Sequence, residues 1–546
     1  MLGFPSKTSL LMSGLSLLLA SCGGLPKRNL PKTVVSARTS VPRLQGGIGP
    51  RFQDTEFLTF AELKSLAADP TPGGELEKKL ERFFNRPIIS NEAWFQGKRP
   101  TRGQNESMGE FLRVATWNVE KSLRTREVAE MFRSKAAFER MIDPTKAPKG
   151  SPDHAALLAE YDRLVTADVV FLQESDIGVT RSGYRNSARE IAQALGMNYV
   201  YAPQQLEIDP IVLGMEPGAD GKMQHPDPGK YKGVFGLAVL SKYPIQAAEC
   251  FQLLAKPYDW YEGEKKKIHL MEDARRLAAG VLFENKTYRE IKVGGRIFFR
   301  VDLTVPGLPN DTLSLIHNHL EIKATAKNRE EQLAEILKQI REIPHTVIMA
   351  GDFNSSSQDM SPTSTFRVLH RTSTDPQTWL GVGLNLVMQA ATVANASRAL
   401  VNHAKNLHDP LAPNIPIVFP NKKRKLITDV RDFRFSDGGC FDFRGDRDRS
   451  INRSTATLAN SNQRAFKGLT PTFRVQRPIG PFGRGRLDWI FVKAPPSTQT
   501  RGHPSYRLAP HFGETLSRIS GDLKIRLSDH CPCVVDIPLQ EPPGLE

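Results

Sequence analysis

Short apolar runs along the chain end abruptly in polar residues. In the sequence HTVIMAGDFN, from His345 to Asn354, the apolar run 347–350 stands directly in front of Gly351, Asp352 and Asn354. The pattern predicts a buried strand that delivers a polar cluster at its end. In an α/β sheet the carboxyl ends of the strands open onto the ligand crevice. Asp352 and Asn354, two apart, share a face of an extended chain. A plain strand followed by an Asp/Asn turn has the same look, so the repetition of the form matters more than one instance. LRVATWNVE from Leu112 ends in Asn118 and Glu120, and DVVFLQE from Asp168 ends in Glu174. LSLIHNHL from Leu313 carries His319 near its end, RLDWIFV from Arg486 holds Asp488 inside a strand, and LSDHCPCVVDI from Leu527 opens a strand with Asp529 and His530.

Helical periodicity fills the intervals. Thr59 and Glu62 have the spacing of a capping box for a short helix that stops before Asp69-Pro70. Leu76, Leu80, Phe83 and Phe84 mark one face of a second helix before Pro87. Residues 156–164 form an amphipathic segment, Ser187 and Glu190 form another capping box, and 329–340 a long amphipathic helix. Between Glu174 and Ser187, Arg181 and Arg185 stand in a polar loop, as cations reaching a substrate phosphate or as a solvated rim.

The 546 residues allow one large or two ordinary domains. A net charge of +15 favours polyanionic partners such as nucleic acid, anionic headgroups or phosphorylated small molecules. Hydrophobic content of 39% excludes a multi-span membrane protein. No cysteine pair has zinc spacing. Cys531 and Cys533 read as core residues, and Cys250 with Cys440 is left open as a bridge.

Residues 9–20 form an apolar segment of signal-peptide length, and Leu19-Ala20-Ser21-Cys22 follows it. This box resembles the bacterial lipoprotein cleavage site, which implies a signal peptide over 1–21 and a lipid on Cys22. The implied location is the bacterial cell envelope, at the outer membrane or cell surface if the cell is Gram-negative. Residues 22–55, rich in Pro, Gly, Arg and Ser, read as a flexible tether. Residues 56–110 read as a small helical N-terminal cap, and 111–540 as the catalytic domain. Within it, 358–485 is a long insertion holding the apolar segment 379–401 and the basic run 422–425. It is read either as an elaboration beside the active-site mouth or as a solvated insertion.

The six polar-ended segments, in this order, resemble the endonuclease/exonuclease/phosphatase family, the metal-dependent phosphoesterases related to pancreatic-type deoxyribonuclease. The resemblance implies a four-layer α/β sandwich of two packed mixed sheets flanked by helices. It implies Glu174 as the main metal ligand, helped by Asn118, Glu120 and Asp529. Oxygen ligands of this kind suit Mg²⁺ or Mn²⁺. It further implies that Asp488 orients His530, which takes a proton from the attacking water, with Asp352 as the rival base. By the same resemblance Asp352 and Asn354 would position that water, and His319 would bind phosphate or protonate the leaving oxygen. Gly236-Leu237 departs from the family's usual Gly-Asn, and the Trp-Cys-Asp-Arg signature of the inositol-polyphosphate phosphatases is missing at Asp488. The function expected is a monomeric, metal-dependent phosphodiesterase acting on DNA or RNA. The alternatives are a phosphatase or phosphodiesterase for a lipid or small phosphorylated molecule, and a non-catalytic surface binding protein.

Overall fold

The computed structural model describes residues 48–106, 109–265, 290–356, 423–443, 471–479, 482–493 and 513–539. The leader with Cys22, the tether up to residue 47, the segment 379–401 and most of the 358–485 insertion lie outside the described residues.

Strands β1 (Gly109–Asn118), β2 (Val169–Ile177), β3 (Asn198–Glu207) and β4 (Val234–Ser241) are the heart of a ten-stranded mixed sheet. Strands β5 (Ile245–Gln252), β6 (Ile297–Thr304), β7 (Thr312–His319), β8 (Thr346–Asp352) and β9 (Asp488–Lys493) form a second sheet in that order. Strand β10 (Cys533–Pro538) returns to the first sheet and pairs antiparallel with β1. The first sheet runs β3-β4-β2-β1-β10 through its centre. The β1-β2 and β7-β8 pairs are parallel, while β4 is antiparallel to both β2 and β3.

Side chains alternate across each strand, so every central strand feeds two cores. Val114, Phe171 and Val239 of the first sheet meet Val301, Leu315 and Ile348 of the second between the sheets. The opposite faces are covered by helices. Over the first sheet lie α1 (Phe60–Ala68), α2 (Gly74–Asn85), α3 (Pro152–Val165) and α4 (Ser187–Leu195), which share its outer core. Over the second lie α5 (Ala326–Ile340) and α6 (Arg424–Asp432). This is the four-layer α/β sandwich expected from the sequence. Burial on both faces is why β8 reads as a nearly continuous apolar run.

The Thr59 capping box is present in both directions, and α1 ends at Ala68. Leu80 and Phe83 of α2 enter the core, with Leu76 and Phe84 packed against it. The N-terminal segment also contributes strands. Phe52–Gln53 pairs with Ile88–Ser90, which pairs with β3 and so extends the first sheet. Two and three residues are too short for a period-2 signal. The strand expected to open at residue 527 begins at Cys533, leaving Asp529 and His530 in the loop before it. Cys250, Cys440, Cys531 and Cys533 are free thiols, so Cys250 and Cys440 are not bridged. Among the insertion's described residues, Leu426, Ile427 and Val430 of α6 join Phe433 and Phe435 in the outer core of the second sheet, and α6 packs on α5. Among the described residues no helix is long and apolar enough to cross a membrane.

Candidate active site

Strand register brings the polar residues to one level. His319 at the end of β7 is the partner of Asp352 at the end of β8, and Asp352 is the partner of Asp488 at the start of β9. Gly351 permits this approach: a Cβ there would lie 1.9 Å from the Asn318 carbonyl oxygen, and its φ is +147°. From the first sheet, Asn118 ends β1, and a bulge in β2 between Leu172 and Ser175 turns Glu174 to φ +59°. Bulges of this kind re-aim a side chain. The loop before β10 adds His530, whose carbonyl accepts from the indole N–H of the fully buried Trp117 at 3.1 Å.

Three nitrogens converge on one oxygen, Asp352 Oδ2. Asn118 Nδ2 lies at 3.2 Å, His319 Nε2 at 3.6 Å and His530 Nε2 at 3.7 Å. The other oxygen, Oδ1, accepts from the Asn354 backbone N–H at 2.7 Å. The Asn354 amide is committed to the Leu320 carbonyl at 2.9 Å, so it holds the turn. His530 Nδ1 donates to Asp488 Oδ2 at 2.8 Å. All of these side chains are buried.

Burial and charge set their protonation. Burial raises Asp352, Asp488 adds to this, and the carboxyl is pushed up to about 7. For His530, burial acts downward, but Asp488, with Asp352 and Asp529 behind it, outweighs burial and holds the ring well above the usual histidine value. His530 is therefore an imidazolium. His319 goes the other way: burial first, then the positive charge of Arg296, holds it well below the usual value and neutral.

Glu174 sits beside this cluster. Its Oε1 accepts from Asn118 Nδ2 at 3.2 Å and lies 4.0 Å from His319 Nε2, and its Oε2 accepts from the Lys121 backbone N–H at 2.9 Å. Glu120, Lys121 and Ser122 have φ of +47°, +53° and +56° in succession, a strained path for non-glycine residues. Glu120 donates its N–H to Asn118 Oδ1 at 3.0 Å. Asp529 is pushed up to about 7 by burial and by the negative charges of Glu120 and Glu174. Three carboxylates gathered at this cost fit a divalent cation with oxygen ligands. Asp352, Asp488 and His530 also bring ligand atoms within 4.8 Å of one another.

Other residues were not foreseen. Thr472 Oγ1 accepts from the Asp488 N–H at 3.1 Å, and the Phe473 ring packs 5.1 Å from His530. Beneath His319, the Gln173 amide donates to His317 Nε2 at 2.6 Å across the gap between the sheets. Burial holds His317 at about 3, hence neutral. The one available signal was polar residues, 116, 173 and 317, ending otherwise apolar strands. Arg181 is not a phosphate-reaching rim residue. It is buried, paired with Asp176 at 2.9 Å and with Glu207. Arg185 pairs with Glu190 at 2.6 Å.

The profile described as Endonuclease/Exonuclease/phosphatase family matches residues 115–530. The chain belongs to this family. Among solved structures, an endonuclease/exonuclease/phosphatase from Beutenbergia cavernae DSM 12333 is 15% identical, with 79% of this chain and 72% of that one covered and a TM-score of 0.33. Humanized D. rerio TDP2 is 15% identical, with 78% and 98% covered and a TM-score of 0.30. The human nocturnin catalytic domain with bound sulfate is 12% identical, with 80% and 98% covered and a TM-score of 0.33. No curated protein matches the chain. Membership of the endonuclease/exonuclease/phosphatase family makes the chain a phosphoesterase by kind, in a family of generally metal-dependent hydrolases.

Proposed function

We propose that the chain hydrolyses phosphodiester bonds with the aid of a divalent metal and that its substrate is nucleic acid. The supporting observation is the ring of Asn118, His319 and His530 nitrogens around Asp352 Oδ2. A phosphate seated against those donors has its non-bridging oxygens on N–H groups and its phosphorus beside the carboxylate. Asp352, at about 7, is matched to accepting a proton near neutral pH. It takes the proton of the attacking water as the new P–O bond forms and the bond to the leaving oxygen breaks. With its ring held above the usual histidine value by Asp488, His530 is the less suited of the two to be that base. Of the two bases the sequence offers, this reading takes Asp352: Asp488 keeps the ring charged, and the ring donates to the phosphate and stabilises its developing charge. His319, neutral, binds phosphate, and donation of a proton to the leaving oxygen is the less favoured of its two roles. Asn354 shapes the turn that presents Asp352.

A Mg²⁺ or Mn²⁺ ion held by Glu174, with Asn118, Glu120 and Asp529, would neutralise charge on the phosphoryl and leaving oxygens. The net charge of +15 supports nucleic acid over a neutral headgroup. We also propose that the chain is a monomer anchored in a bacterial envelope through a lipid on Cys22, motivated by Leu19-Ala20-Ser21-Cys22. The substrate reading is tested by offering plasmid DNA, RNA, sphingomyelin, inositol phosphates and a generic phosphodiester with Mg²⁺ or Mn²⁺, with and without chelator. Chelator-sensitive cleavage of DNA or RNA that weakens steeply with salt is expected. Turnover of a lipid or a monoester alone would replace nucleic acid as the substrate.

A further inference from the structure

Arg296, immediately before β6, is 6% exposed and belongs to none of the motifs read from the sequence. Its Nε donates to Glu321 Oε2 at 3.0 Å. Glu321 follows His319 by two residues, and its carboxylate is fully employed: Oε2 also accepts from the Trp260 indole at 2.9 Å, and Oε1 from the Lys323 backbone N–H at 3.0 Å. The Glu321 N–H in turn donates to Gln332 Oε1 at 3.0 Å. The carboxylate is thus fixed from several sides and grips one edge of the guanidinium. On the other edge, Nη1 is buried and has no hydrogen-bond partner among the described residues. A buried, unpaired guanidinium N–H is costly unless a ligand takes it.

Neighbouring cations differ. Lys292 is neutralised by Glu207 at 2.9 Å and Glu290 at 2.6 Å, and Arg181 by Asp176 and Glu207. Arg296 alone among these three combines a single carboxylate partner with an unused buried donor. It also lies close to the catalytic cluster. In the β6-β7 ladder Phe298 stands opposite Asn318, which sets Arg296 beside the turn that runs from His319 to Glu321.

We propose that Arg296 is a substrate-binding residue whose Nη1 edge takes a non-bridging oxygen of the phosphate that His319 faces. This rests on the reading of the cluster as a phosphoester site. A guanidinium held by a carboxylate on one side offers its remaining donors in a fixed plane, a geometry that matches phosphate oxygens. Glu321 and Trp260 are positioning residues in this arrangement: they set the plane of the guanidinium.

The test is binding of inorganic phosphate, measured by calorimetry in the presence of chelator, so that neither metal nor turnover enters. Arg296→Met should weaken phosphate by about 10- to 100-fold, the usual effect of losing a charged hydrogen bond. Arg296→Lys should recover part of the loss, because it restores charge without the planar fork. Arg296→Met strands the Glu321 charge and is expected to destabilise the fold. The double variant Arg296→Met/Glu321→Gln removes both charges, and it should melt near the wild type while still binding phosphate weakly. A double variant that folds and binds phosphate as tightly as wild type overturns the proposal, as does a wild type that binds no phosphate. A wild type that binds phosphate through Arg296 yet cleaves no phosphoester overturns the hydrolytic reading alone.

Discussion

Arg181→Met separates a structural arginine from a substrate-binding one. The guanidinium donates to Asp176 through Nε at 3.0 Å and Nη2 at 2.9 Å, and to Glu207 through Nη1. Both carboxylates are fully buried. Without Arg181, Glu207 keeps Lys292 at 2.9 Å, but Asp176 loses its ion-pair partner. Removing one member of a buried pair strands a charge and costs about 3–5 kcal/mol, a fall in Tm of about 3–6 °C for a domain of this size. Protonation offsets part of the loss. Burial holds Asp176 at about 7 even with Arg181 opposing it, so without the arginine it titrates higher still. The folded variant then binds a proton at pH values where wild type does not. Its deficit should therefore be full in alkaline solution and shrink as the pH falls toward 7. Urea denaturation of both proteins across this range measures the difference. A loss inside about 1 kcal/mol, the size of a surface pair, would refute the buried network. A raised KM for phosphoester with unchanged stability would restore Arg181 as a substrate contact.

Asp488→Asn should lower turnover by about 10²–10³, comparable to His530→Ala, and the pair should be less than additive, since they act as one unit; strict additivity under saturating metal would show that they do not cooperate. Glu174→Ala should lose metal binding and metal-dependent hydrolysis while the fold survives, and unchanged metal affinity by calorimetry would move the ion elsewhere. Cys22→Ala should abolish acylation, with metabolic labelling that finds no fatty acid on wild type as the contrary result.

The α/β class was legible because buried strands open on apolar runs, as 169–172 of β2 and 347–350 of β8 do, whereas the four-layer arrangement came from the family resemblance. The residues that gather at the cluster could be named because each interrupts such a run at its end. What each residue does there was less legible. The sequence pairs His530 with Asp488, but not with the Asp352 carboxylate that lies 3.7 Å from its other nitrogen. Arg181 looked like a rim residue because the sequence does not display Glu207, the partner at the far end of β3. Arg296 carried no signal at all: an arginine before a strand reads the same whether its far edge meets solvent or a closed interior. The strands at 52–53 and 88–90 exist only by pairing with each other and with β3, and no local pattern marks them.

The site's chemistry turns on Asp352, the carboxylate that Asn118, His319 and His530 surround. Turnover of a phosphodiester by Asp352→Asn under saturating Mn²⁺ tests it most directly, because the amide keeps the shape of the side chain and removes its ability to accept a proton. Loss of about 10²–10⁴ in kcat, with melting behaviour retained, is the expected result; hydrolysis at near wild-type rate would contradict the assignment of Asp352 as the base.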